Sequence, residues 1–170
     1  MWYEITEFIK DIFKYIILIA VIVMVRIFVL TSTEVVGDSM EPNYHNGNMI
    51  LVDQTTKYFD HIKRFDLVVV KYDQPSYIIK RVIGLPGEII VYKEDSLYVD
   101  GKLVLEDFKV NGHTYDLDKE IKVPEDSYFV LGDNREDSED SRYIGSISEE
   151  DILGKLFFQI WPLEKIGIVK

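Results

Sequence analysis

The sequence predicts a mostly β fold, an antiparallel β body behind a single N-terminal apolar helix, on three observations. Beyond residue 33 the apolar residues fall in short β-branched and aromatic runs, and helical periodicity is nearly missing there. Between the runs stand turn signals, Leu85-Pro-Gly-Glu88 and Asp100-Gly101. The one long apolar stretch is confined to the first 30 residues.

That stretch comes first in the chain. Tyr15 to Val25 is uninterrupted apolar sequence and Ile27 to Leu30 continues it past Arg26; from Ile12 it counts 19 residues. As helix this is about 28 Å, close to the thickness of a bilayer core. Lys14 and Arg26 lie near enough to the ends to snorkel into headgroups. Lys10 and Lys14 precede the span and no basic residue follows until Lys57, which predicts an inside N-terminus and a translocated body. A cleaved secretory signal would end in a small-residue site of Ala-x-Ala type, and Thr31-Ser-Thr33 is a poor version of one. A retained single-pass anchor is therefore favoured over a cleaved signal or a buried soluble helix, which divides the chain into an anchor, 1–30, and a body, 31–170.

In the body, the runs read as strands are Met49–Val52, Leu67–Val70, Tyr77–Ile83, Ile89–Tyr92, Ser127–Leu131 and Leu156–Trp161. Asp100-Gly101 closes a two-residue hairpin between Leu97–Val99 and Leu103–Leu105, and Leu85–Glu88 suits a type II turn. Asp107 to Lys119 is polar and turn-rich, and reads as a surface insertion or a long hairpin arm.

Composition narrows the function. The chain has 170 residues and 19.9 kDa, with 47% apolar and 13% aromatic residues, enough for one compact core plus an appendage. Cysteine is absent, which removes disulfides, thiolate metal sites and a cysteine nucleophile. The net charge is −11, and the anchor region contributes three bases and three acids, so the imbalance lies in the body. A phosphate backbone needs lysine and arginine clusters, so no nucleic acid partner is expected.

Ser39 sits on a Gly-flanked turn in Val36-Gly-Asp-Ser-Met-Glu-Pro42. It is not the Gly-x-Ser-x-Gly elbow, since Glu41 holds the last place, and no Ser-x-x-Lys follows. A histidine base has only His45, His61 and His113 to draw on, and each lies in a polar segment that reads as solvated surface. Lys80 is flanked by Tyr77-Ile-Ile79 and Arg81-Val-Ile83, and burial there would lower its pKa until it could take a serine proton. Ser39 and Lys80 are the natural pair.

A third segment, Leu131-Gly-Asp-Asn-Arg-Glu-Asp-Ser-Glu-Asp-Ser-Arg142, mixes acids and arginines. It is not a calcium loop, because Arg135 stands at a ligand position and Ser138 at the glycine position, and no metal or other cofactor is expected. It reads as a hydrogen-bonded loop in which Asp140 can pair with Arg142 or Arg81, and Ser138 can offer its hydroxyl to an amine.

Taken in order behind an apolar anchor, Val36–Pro42, Tyr77–Gly87 and Leu131–Arg142 resemble type I signal peptidase, in its short single-span Gram-positive form. The resemblance runs from the anchor through residue 161 and implies a domain of coiled antiparallel β-sheets. It implies Ser39 as nucleophile, Lys80 as general base and Ser138 as the hydroxyl orienting the amine, with Arg81, Asp133, Asn134, Arg135, Asp140 and Arg142 holding the loop. The implied partners are the signal peptides of exported preproteins, docked as an added strand, and the lipid bilayer; no oligomeric state is specified. The implied location is the cytoplasmic membrane, N-terminus inside and catalytic domain outside.

Shallow substrate pockets for small side chains are expected beside the dyad, at Val35, Gly37, Met40 and Ile79. Gly37 departs from members that carry a serine there to bind the oxyanion, which leaves the Ser39 N–H and another main-chain donor to do so. Asn43-Tyr44 and Arg64-Phe65-Asp66 also depart from the usual Thr-Leu and Arg-Gly-Asp. The competing readings are a Ser-Lys autoprotease of the SOS-repressor type, which the N-terminal span opposes, an inactive signal-peptidase-like chaperone for surface or pilus assembly, which retention of both Ser39 and Lys80 opposes, and a tethered β binding module, which leaves the three motifs unexplained.

Overall fold

The computed structural model describes residues 2–28, 30–56, 62–72, 77–117 and 119–169. A helix, α1 (Trp2–Phe28), precedes the β body. Its described side chains include the charged Glu7, Lys10, Asp11 and Lys14, then exposed Ile16, Leu18, Ile19, Ile22 and Met24. Among the described residues no helix is long and apolar enough to cross a membrane.

The body is mostly antiparallel β, as the sequence predicts. An eight-stranded sheet is built in the order β1 (Leu30–Glu34), β2 (Met49–Asp53), β11 (Ile152–Trp161), β3 (Leu67–Lys71), β4 (Tyr77–Gly84), β9 (Ser127–Leu131) and β10 (Ile147–Ser148), with β12 (Gly167–Ile168) on β11. A four-stranded sheet runs β7 (Lys102–Val104), β6 (Ser96–Val99), β5 (Ile89–Lys93) and β8 (Ile121–Lys122). Every strand pair in both is antiparallel.

Burial follows position in the sheet. On β2, half-covered, Ile50 and Val52 are buried and Met49 is exposed, a period of two. On β3, held between β11 and β4, Leu67 to Val70 are all buried, so the strand is a continuous apolar run. Val35, Met40, Tyr44, Ile50, Val52, Leu67 and Leu156 form one core cluster, with Ile79 packed against it. On the other face Val68, Val70, Val82, Val130 and Ile152 form a second.

The turns agree with their chemistry. Asp100 and Gly101 have φ of 49° and 75°, as the mirror-image hairpin turn requires. Gly87 has φ of 80° and the Glu88 N–H donates to the Leu85 carbonyl at 3.2 Å. A second tight hairpin, Glu94-Asp95 at φ of 51° and 59°, joins β5 to β6 and carries no glycine to announce it.

Three elements differ from expectation. Thr31–Thr33 belongs to β1, paired with β2 from Leu30↔Asp53 to Glu34↔Met49; its polar residues hide it from a hydrophobic pattern. The strand expected at Leu156 begins at Ile152, where Gly154 interrupts the apolar run. A Cβ at Gly154 would collide with the Asp53 carbonyl, so the break in pattern is the price of a close strand crossing. The segment Asp107–Lys119 is not merely a surface arm. Phe108 lies under the Arg81 guanidinium at 4.1 Å, and Asn111 bridges to Asn134. Its polarity is matched to buried cations and amides, which a surface reading could not anticipate.

Candidate active site

The β4 strand carries Lys80 at the centre of the large sheet. It pairs with Val68 on β3, and its same-face neighbours along the strand are Ile78 and Val82, so the amine stem leaves the backbone on an apolar face. Lys80 is buried, at 2% exposure. Burial pushes its pKa down to about 8; Asp140 and Glu139 pull it back up in part, and Arg142 opposes them.

On the other side of β4, Arg81 pairs with Leu131 and Val82 with Val130 of β9. Continuing this register by one residue sets Lys80 opposite Gly132. That glycine is where the motifs converge. A methyl group on Gly132 would stand 2.5 Å from the Ser39 carbonyl oxygen and 2.5 Å from Ser138 Cβ. Only a residue without a side chain lets the Ser39 turn and the Ser138 loop close around the β9 end. Ser39 and Ser138, about a hundred residues apart in sequence, thus meet at Gly132, with Lys80 on the neighbouring strand. Sequence reasoning quoted this glycine in its motif and gave it no role.

Ser39 is half-buried on a turn tied to the third motif. Its carbonyl accepts the Asn134 N–H at 3.0 Å, and Asn134 Nδ2 donates to the Asp38 carbonyl at 3.2 Å. Gly37 has φ of +85°, and its N–H donates to Asn46 Oδ1 at 3.0 Å. A serine at that position would be strained, and the Gly37 N–H is already engaged. Ser138 Oγ is buried and has no hydrogen-bond partner among the described residues.

Five of the supporting residues form three ion pairs, one of them with a partner outside the set. Arg81 forms a buried fork with Asp133, Nε to Oδ1 at 2.8 Å and Nη2 to Oδ2 at 2.7 Å, and also donates to the Phe65 carbonyl at 2.9 Å. Of the two partners weighed for Asp140, the structure selects Arg142, through Nε and Nη2, each at 2.8 Å. Asp140 also accepts the Gly132 N–H at 3.1 Å, which ties that pair to the site. Arg135 donates to the Gly132 carbonyl at 3.0 Å and pairs with Glu106. Asn43, which stands where Thr is usual, donates to Asp133 Oδ2 at 2.8 Å and to the Lys109 carbonyl at 2.7 Å. Asn43 was noted in the sequence only as a departure, without a role, and Glu106 and Thr114 were not singled out, because each lies outside the dense motifs.

Val35 and Met40 are buried in the cluster against which half-buried Ile79 packs; Gly37 is exposed. His45 is half-exposed and hydrogen-bonded to Glu41 at 2.9 Å, while His113 is exposed and paired with Asp95 on the small sheet. His61 lies outside the described residues.

Comparison with known proteins decides the family. The model of the family described as signal peptidase, peptidase S26, matches residues 5–161. The chain belongs to the signal peptidase family. Signal peptidase I of Bacillus amyloliquefaciens is 39% identical over 166 residues, covering 91% of this chain and 89% of that protein. Signal peptidase I V of Bacillus subtilis strain 168 is 42% identical over 145 residues, covering 78% and 86%. The crystal structure of a signal peptidase I from Enterococcus faecalis V583 superposes with a TM-score of 0.50 at 35% identity, over 56% of this chain and 97% of that one. The match runs through the turn that bears Ser39, the β4 strand that bears Lys80 and the loop after β9. Family membership makes the chain a peptidase of the signal peptidase I type.

Proposed function

We propose that this signal peptidase removes the signal peptides of exported preproteins with Ser39 as nucleophile and Lys80 as general base. One observation carries the assignment: a buried lysine with a lowered pKa lies opposite a glycine packed against the carbonyl of Ser39. Neutral Lys80 Nζ takes the Ser39 hydroxyl proton as Oγ attacks the scissile carbonyl carbon. The carbonyl becomes an oxyanion that the Ser39 N–H faces; that N–H has no partner among the described residues. Collapse breaks the C–N bond, and the proton on Nζ passes to the leaving amine of the mature protein. Lys80 then takes a proton from a water whose oxygen attacks the acyl ester carbon; the bond to Ser39 Oγ breaks, Nζ returns the proton to Oγ, and the signal peptide leaves with a free carboxyl end. Ser138, whose buried hydroxyl has no partner among the described residues, is the group available to orient the amine once substrate is bound, and Arg81, Asp133, Asn134, Arg135, Asp140 and Arg142 fix the loop on which it rides.

The substrate lies as an added strand along β1, the edge of the large sheet, whose C-terminal end leads through Val35 and Gly37 to Ser39. Val35, Gly37, Met40 and Ile79 supply a shallow wall beside the dyad. With detergent-solubilised full-length enzyme, a preprotein is expected to be cut immediately after a small-x-small sequence. Replacing the alanine before the cut by leucine or lysine should nearly abolish cleavage, because the added volume or unpaired charge has no room. Equal cleavage of the three substrates in a gel assay would refute the pocket.

Residues 1–30 act as the membrane anchor and 31–170 as the catalytic body outside the cytoplasmic membrane. The support is the apolar run within α1 and the lysines ahead of it. Protease added to intact spheroplasts should digest the body. Digestion only after lysis would reverse the orientation.

A further inference from the structure

Tyr92 of the small sheet, with Glu106 and Thr114 of the segment after β7, forms a polar box around Arg135. This guanidinium is buried at 2% exposure. Its Nη2 donates to Glu106 Oε1 at 2.5 Å; its Nη1 donates to Thr114 Oγ1 at 2.5 Å, to the Tyr92 hydroxyl at 3.3 Å and to Glu106 Oε2 at 3.4 Å. The Tyr92 ring lies 5.6 Å below the cation, and the Tyr92 hydroxyl donates to Glu106 Oε1 at 2.8 Å. Burial pushes the Tyr92 pKa far above its ordinary value, so the hydroxyl stays neutral and remains a donor. Glu106 is the one carboxylate hydrogen-bonded to Arg135 among the described residues. The three side chains that accept from Nη1 and Nη2 belong to the small sheet or the segment that follows β7.

The remaining donor of Arg135, Nε, points the other way, onto the Gly132 carbonyl at 3.0 Å. Gly132 is the residue opposite Lys80 and in contact with the Ser39 carbonyl and Ser138 Cβ. The backbone makes a parallel tie: Asn111 N–H donates to the Asp133 carbonyl at 2.9 Å and Arg135 N–H to the Asn111 carbonyl at 2.8 Å. The small sheet and the segment that follows β7 therefore grip the loop at and just after Gly132, through Asp133 and Arg135.

We propose that Glu106 is a positioning residue for the dyad, acting through Arg135 and Gly132 to hold the Lys80 enclosure closed. The inference rests on the Ser39–Lys80 reading above. A buried cation keeps its place only while its counter-charge is present. With a neutral side chain at 106, Arg135 must draw in water or shift, and the Gly132 carbonyl loses its fixed donor. The apolar cover over Lys80 then loosens, the amine is better solvated, and its pKa moves back toward that of a free lysine.

Glu106→Gln tests this because it keeps size and removes charge. In the full-length enzyme, assayed well below its melting temperature, kcat at neutral pH should fall about tenfold or more with KM within about twofold. The rising limb of the pH–rate profile should move to higher pH, so that the deficit shrinks in alkaline buffer. Glu106→Asp, which keeps the charge, should recover part of both effects, and Thr114→Val should shift the limb less and in the same direction. A lowered melting temperature with unchanged kcat and an unmoved limb would overturn the proposal and leave Glu106 a purely structural residue. If Glu106→Gln does not fold, an unmoved limb in both other variants overturns it equally. Ser39→Ala in the same assay separates the two readings, since residual full activity there would overturn the dyad itself.

Discussion

Ser39→Ala and Lys80→Met should each lower turnover by about 10⁴-fold or more in the detergent-solubilised enzyme, with substrate affinity largely kept. Ser39→Ala removes the attacking oxygen. Lys80→Met keeps the length and the apolar stem and removes the proton acceptor, and members of one catalytic unit are not additive, so the double variant should be no worse than either. Wild-type activity should rise about tenfold per pH unit up to about 8 and then level, because only the neutral amine acts as base. His45→Ala and His113→Ala should retain most activity. Near-normal turnover by Lys80→Met, with loss in a histidine variant, would replace the dyad by a histidine base.

The same lysine substitution should make the protein more stable. A lysine whose pKa falls from 10.5 to about 8 on folding binds fewer protons folded than unfolded between those values, so stability rises with pH across that window. Below the folded pKa the full penalty is present, about 3 kcal/mol from the size of the shift. Lys80→Met removes it at neutral pH, and its melting temperature should exceed that of the wild type, with the difference shrinking as pH rises from about 8 and vanishing only above the unfolded value of 10.5. A melting temperature at or below the wild-type value at pH 7 would show that Lys80 is not held against a desolvation cost.

The opposite result is expected at the Arg81–Asp133 pair, which has the largest structural stake in the site. Both side chains are buried, at 1% and 0% exposure, and the fork is completed by Asn43 and the Phe65 carbonyl. Arg81→Leu leaves a buried carboxylate with far fewer donors, a loss of about 3–5 kcal/mol. That corresponds to a fall of roughly 10 °C in melting temperature for a domain of this size. Replacing both residues by apolar ones should cost much less than either single change, since the penalty comes from the uncompensated charge. A thermal melt in which Arg81→Leu matches the wild type would show that Asp133 finds another partner.

The strands legible in the sequence were those whose burial repeats along the chain. On β3 both faces are covered, and on β4 and β9 the apolar residues lie beside one another, so Leu67–Val70, Tyr77–Ile83 and Ser127–Leu131 stood out. The strands that escaped have another cause. β1 is a polar edge strand, and β11 is broken by a glycine that a neighbouring carbonyl requires. The Glu94-Asp95 hairpin uses left-handed residues other than glycine, so its turn carries no signal.

The sequence by itself determined the residue types of the candidate site and the family it resembles. It named a serine without a histidine base, a lysine in an apolar strand, an acid- and arginine-rich loop and an apolar N-terminus, because these are properties of residue type and near-neighbour pattern. Tertiary structure alone decided the partners. That Asp140 takes Arg142 and Asp133 takes Arg81, that Gly132 is the point where three motifs touch, and that Glu106 neutralises Arg135 all depend on pairings between strands and loops distant in the chain. A buried charge selects its partner by the geometry of the space it is enclosed in, and that space exists only once the two sheets have closed around it.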